Sequence, residues 1–154
     1  MRYTLFLPVL IIAFLSISCS STESSASSPP EKSGEKLLIE GAWVRLVPEL
    51  SANTAAYMRI SNTSNTPIVL TGAVSDISKI TEIHTVISDG DIMKMVHLES
   101  LEIPANSTVV LKPKNNHVMF MKLHEPLKDG QTVTFSLVTE IGELIEVNAV
   151  VKNP

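Results

Sequence analysis

From Leu37 to Val151 apolar residues recur at every second position, in short runs broken every ten or so residues by turn chemistry. A side-chain period of two belongs to a strand with one buried face, and no long stretch carries the 3.6-residue spacing of an amphipathic helix. The runs are Leu37 to Val47, Thr54 to Ser61, Pro67 to Thr71, Ile80 to Ile87, Ile92 to Leu98, Ser107 to Leu111, His117 to Leu123, Thr132 to Val138 and Leu144 to Val151. About nine short strands without helices predict an all-β antiparallel sandwich or barrel.

Turn residues predict the local pairings. Ser88-Asp89-Gly90-Asp91 joins two runs, and Asp-Gly is a strong hairpin signal. Ile141-Gly142 joins the last two runs in the same way. Asn62-Thr63-Ser64-Asn65 predicts a third hairpin, between Thr54–Ser61 and Pro67–Thr71, with a longer loop. Trp43, the only tryptophan, and Met58 are expected in the core.

The first 36 residues read differently. Residues 1–19 have the layout of an export signal: Arg2, then an apolar run from Leu5 to Ile17, then Ser18-Cys19. The run falls short of the roughly 20 residues that span a membrane. Cys19 is the only cysteine, so no internal disulfide is possible. Its place at the end of the signal resembles a bacterial lipoprotein cleavage site, although Ser16 stands where that pattern prefers leucine. The resemblance implies lipidation of Cys19 and a location in the periplasm or on the outer face of a membrane, held by the lipid anchor only. Residues 20–36 are rich in serine, proline and charge and have nothing large to bury, so they read as a disordered tether. One domain, 37–154, remains. Loss of Arg2 with the signal leaves 11 basic against 16 acidic residues, a net charge of −5. An acidic domain without a basic cluster argues against nucleic acid as a partner.

The stretch from His84 to Met121 concentrates the chemistry. It holds His84, Met93, Met95, His117, Met119 and Met121, with His97 inside it. Alternation puts His84 on one face with Ile80, Glu82 and Val86. It puts Met93, Met95 and His97 on one face of the next strand, and His117, Met119 and Met121 on one face of another. Singly, such residues are ordinary core or surface side chains. Together, beside turns at the rim of a sandwich, imidazoles and thioethers form a soft donor set. Thioethers select Cu(I), imidazole also suits copper, and hard cations need oxygen. A zinc hydrolase would require a carboxylate such as Glu82 or Asp89 beside His84 and His117, and has no use for four methionines. A metal-free scaffold or adhesion module would place the methionines in the core. No Ser/His/Asp constellation or phosphate-binding glycine loop is visible, so no enzyme is indicated.

The spacing His84-x10-Met95-x21-His117-x-Met119 resembles the ligand motif of the periplasmic PCu(A)C copper chaperones. Asp89-Gly90-Asp91-Ile92-Met93-Lys94-Met95, Leu101-Glu102-Ile103-Pro104-Ala105 and Pro126-Leu127-Lys128-Asp129-Gly130 are similar to that family as well, and the likeness covers about residues 38–151. Thr85 stands where some members carry methionine. The resemblance implies a cupredoxin-like antiparallel Greek-key β-sandwich. It implies one Cu(I) held by His84, Met95, His117 and Met119, with Met93 and Met121 at most auxiliary. The implied acceptor is the CuA site of cytochrome c oxidase or another copper chaperone, with copper tolerance or storage as the alternative. His97 and His124 lie outside the motif and read as surface residues or as residues just outside the ligands.

Overall fold

The computed structural model describes residues 36–90 and 92–153; the signal, Cys19 and all of the tether but Lys36 lie outside them. Ten strands follow in order: β1 (Leu37–Arg45), β2 (Asn53–Asn62), β3 (Ile68–Val74), β4 (Ser78–Asp89), β5 (Ile92–His97), β6 (Leu101–Ile103), β7 (Thr108–Leu111), β8 (His117–Leu123), β9 (Thr132–Thr139) and β10 (Leu144–Lys152). They pair along one path, β5-β4-β8-β2-β1-β10-β9-β3-β6, with β7 attached to β2. All pairs are antiparallel except β1 with β10. Among the described residues no helix is long and apolar enough to cross a membrane.

The core lies between the two halves of this path. β10 alternates strictly between exposed and buried residues, and Val147, Ala149 and Val151 point inward. Phe120 of β8 and Phe135 of β9 meet edge to face at 5.2 Å, a geometry the aromatic quadrupole favours. β2 is central and buried without interruption from Thr54 to Met58. Its far edge is shared: Met58–Ser61 pair with β7, and Asn53–Ala56 pair with β8. Met58 is in the core as expected.

Three expectations are corrected. The hairpin between the second and third runs does not form: β2 pairs with β1, β7 and β8, while β3 pairs with β6 and β9. The buried side chain of Asn62 explains the divergence. It donates to the carbonyls of Thr66 and Ile103 at 2.8 and 2.9 Å, and accepts from the Ser64 amide and hydroxyl at 2.9 and 2.7 Å. The turn chemistry is real, but it hands the chain to the other side of the sandwich. Trp43 is only half-buried and packs on Tyr57 at 4.6 Å, with the Lys152 ammonium 5.5 Å from its ring centre. Register shifts between Glu40 and Trp43, and Gly41 has φ +60° there, a conformation glycine adopts without a Cβ clash. The bulge inverts strand parity, so Leu37 and Val44 face the core and Trp43 does not. Finally, Leu101–Ile103 is a strand of three residues, too short for its alternation to stand out.

Candidate metal centre

β4 lies between β5 and β8, and its register sets the site. His84 is directly opposite His97 on β5 and His117 on β8. The three imidazoles form a row across three strands, with ring centres 5.9 Å apart for His84–His97 and 6.0 Å for His84–His117. Tyr57 of β2 continues the row, 6.2 Å from His117. Glu82 is opposite Met119, and Val86 is opposite Met95. The expected faces of β4, β5 and β8 are therefore brought together. The alternate residues Ile83, Val118 and Phe120 are fully buried on the other side.

An open depression of about 520 Å³ lies over this face. Tyr57, Val86, Met93, Met95, His117 and Met119 line it, together with the loop after β1 and Pro113-Lys114. His84 sits next to it, its side chain only 12% exposed. Met95 and Met93 are half exposed, on an edge strand. Met119 and Met121 are partly covered. The methionines therefore do not all fill the core: Met58 does, whereas Met93 and Met95 face solvent.

The two buried histidines are each half satisfied. Glu82 Oε2 lies 2.9 Å from His84 Nε2, and the Asn115 carbonyl lies 2.8 Å from His117 Nδ1. The other nitrogen of each ring, His84 Nδ1 and His117 Nε2, is buried without a hydrogen-bond partner. A buried polar atom without a partner is uncommon and costs on the order of 1–3 kcal/mol. Two such atoms on facing rings beside thioethers fit a soft cation. Among the described residues no group of three His, Cys, Asp or Glu side chains is placed to hold a metal ion by itself. Asp89 is engaged by Lys94 at the hairpin tip, about 16 Å along β4 from His84 at strand rise. What the depression and its margin bring near one another are the His84 and His117 imidazoles and the side chains of Met93, Met95 and Met119.

Sequence reasoning named neither Tyr57 nor Asn115, and it read His97 without its partner. His97 is exposed, as expected of a surface residue, yet it faces His84 across the β4–β5 ladder. Tyr57 packs on His117, and burial holds its phenol pKa above the usual value. The Asn115 carbonyl fixes the His117 ring. The strand parity of Glu82 and of His97 was visible beforehand. His124 is elsewhere, exposed at a separate depression with Asp76 and Glu125.

Residues 37–151 match the family described as "Putative lipoprotein LpqE-like". The chain is 28% identical to "Putative lipoprotein Lxx21020" of Leifsonia xyli subsp. xyli over 88% of its own length and 81% of that protein's. Among solved structures it is similar to apo-DR1885 of Deinococcus radiodurans: 30% identity, 96% of this chain, 97% of that one, TM-score 0.61. The CuI-DR1885 structure gives 34% identity over 86% of this chain and 85% of that one, again at TM-score 0.61. The copper-bound PCuAC domain from PmoF2, at 23% identity, covers 77% of this chain and 94% of its own with TM-score 0.63, and shows the fold. The cupredoxin-like all-β class is thus the observed one, with a single parallel pair added.

Burial lowers the His117 pKa, and the neighbouring His84 lowers it further, against the opposing effect of the Asn115 carbonyl. His117 is therefore neutral in the native protein at pH values where the unfolded chain, with a pKa of about 6.5, already binds a proton. Where the unfolded state binds more protons, stability rises with pH. The metal-free protein should lose stability as pH falls below about 6.5, until the lowered native pKa is passed. Thermal unfolding across this range should give a shallower slope for His117→Gln than for the parent; equal slopes would show that His117 does not carry the effect.

Proposed function

The chain belongs to the LpqE-like family, whose fold is that of PCu(A)C copper chaperones, and on this premise we propose that it is an extracytoplasmic Cu(I) carrier. The observation that carries the reading is the pair of unpartnered ring nitrogens on His84 and His117, beside thioethers and, among the described residues, without a hard-donor cluster. The proposed ligands are His84, Met95, His117 and Met119, with Met93 and Met121 auxiliary. Softness makes Cu(I) the preferred ion over Zn²⁺. The CuI-DR1885 structure, at 34% identity, supports the choice of ion. A shell without thiolate releases its cargo to a stronger sulfur site by ligand exchange, which suits transport rather than catalysis. The proposed acceptor is the CuA site of cytochrome c oxidase.

Replacing methionine with leucine keeps volume and apolarity, so folding should change by less than about 1.5 kcal/mol. Met95→Leu and Met119→Leu should each weaken Cu(I) binding by orders of magnitude, and Met93→Leu and Met121→Leu far less. Competition with a chromophoric Cu(I) chelator measures this. Parent-like affinity in the first two variants would exclude Met95 and Met119 as ligands.

Delivery is tested by mixing the Cu(I)-loaded protein with a metal-free oxidase CuA domain and separating the two. Copper should move to the CuA domain. Retention by the donor would favour storage or tolerance, and transfer only to a second copper chaperone would place the protein earlier in the route.

The anchor is proposed to be a lipid on Cys19, with the domain in the periplasm or on the outer face of the membrane. A relative named as a lipoprotein supports it. Cys19→Ser should release the protein from the membrane fraction and abolish acyl labelling. A free Cys19 thiol in the exported parent protein would end this assignment.

A further inference from the structure

Two hydrogen bonds determine how the buried imidazoles present their lone pairs. A carboxylate is an acceptor only, so the 2.9 Å contact to Glu82 Oε2 requires His84 Nε2 to carry the hydrogen. In the neutral ring the lone pair is then on Nδ1, the atom that is buried and unpartnered. A backbone carbonyl is likewise only an acceptor, so His117 Nδ1 donates to Asn115 over 2.8 Å and its lone pair is on Nε2, the other unpartnered atom. The two histidines are thus held in opposite tautomers.

Glu82 reaches His84 from two residues back on the same strand face, where it stands opposite Met119. Its side chain is 37% exposed, so the carboxylate meets water on one side and the imidazole on the other. Glu82 does not belong to the proposed ligand set. A carboxylate that accepts the distal N–H of a metal-binding imidazole orients the ring and raises its basicity.

We propose that Glu82 is a positioning residue that locks His84 in its Nε2–H tautomer, so that His84 binds Cu(I) through Nδ1 while His117 binds through Nε2. The proposal rests on the copper reading for its consequence, but its first half concerns the metal-free protein alone. It differs from a structural role for Glu82 in what it predicts for nitrogen chemistry. It also separates the two histidines: the lock on His117 is a main-chain carbonyl, which no side-chain substitution removes, whereas the lock on His84 can be removed.

The test uses the full-length protein and two variants. Glu82→Leu keeps side-chain bulk and removes the acceptor; Glu82→Gln keeps an acceptor oxygen and removes the charge. Two-bond proton–nitrogen correlation spectra of the metal-free protein at about pH 8, where imidazole is neutral, report each tautomer. The parent should show Nε2–H at His84 and Nδ1–H at His117. Glu82→Leu should show mixed tautomers at His84 alone, and Glu82→Gln should restore the parent pattern. Cu(I) affinity should fall about 10–100-fold in Glu82→Leu and stay close to the parent in Glu82→Gln, with thermal unfolding confirming that all three fold. An Nδ1–H tautomer at His84 in the parent, or unchanged tautomer and affinity in Glu82→Leu, would overturn the proposal. If the tautomers are as assigned but the parent binds no Cu(I), the copper reading fails and Glu82 loses its bearing on the metal, while the tautomer lock stands.

Discussion

The register of β4 between β5 and β8 is the constraint on which the site depends. It puts His84 opposite His97 on one side and His117 on the other. On the β5 side no residue of that strand is buried, and the short β4–β5 turn sets the pairing. On the β8 side the opposite face holds the register. Ile83, Val118 and Phe120 are fully buried there, and each buried large apolar side chain contributes about 1.5–3 kcal/mol. A slip by one residue would turn those three to solvent and drive the imidazoles into the core. The polar contacts on the site face contribute about 1 kcal/mol apiece, too little to set a register against that. The core aligns β4 with β8, and the donor atoms of those strands are carried along on the outside.

This division leaves the site free to be locally unfavourable. Two ring nitrogens without partners on neighbouring strands cost stability in the metal-free state, and burial holds His117 neutral against its tendency to protonate. A core serving stability alone would replace such atoms with carbon. Their persistence beside an open depression is what an ion-binding face requires, because a donor already paired within the protein must lose that partner before it can take a ligand. Glu82 and the Asn115 carbonyl engage one nitrogen of each ring and leave the other available, so the rings are orientated without being saturated.

Much of this was legible in residue order. Alternation located nine of the ten strands, Asp89-Gly90 marked the β4–β5 hairpin, and parity separated His117, Met119 and Met121 from Val118 and Phe120. The failures share a cause: each depended on a contact remote in sequence or on a break in periodicity. Asn62 carried a correct turn signal, but its bond to the Ile103 carbonyl, 41 residues away, sends the chain to the other half of the sandwich. Trp43 was assigned to the core by its size, and the bulge at Gly41 turns that position away from it. His97, read as a surface or outer residue, is exposed as expected, and the β4–β5 register adds that it faces His84. A tautomer is the extreme case, since it depends on which acceptor atom happens to lie within 3 Å of which ring nitrogen.

The site is also asymmetric in a way that bears on how a cargo would leave. His117 is 2% exposed and the His84 side chain 12%, whereas Met95 is 52% exposed on a strand that ends the sheet. On the proposed ligand set, the imidazole side is rigid and shielded from water, and the Met95 thioether is the donor an approaching protein meets first. A neutral thioether on a flexible side chain is also the easiest of the four to displace, since it has several rotatable bonds and no second hydrogen bond to hold it. Exchange would then begin at β5, with the incoming sulfur replacing Met95 while both imidazoles still hold the ion.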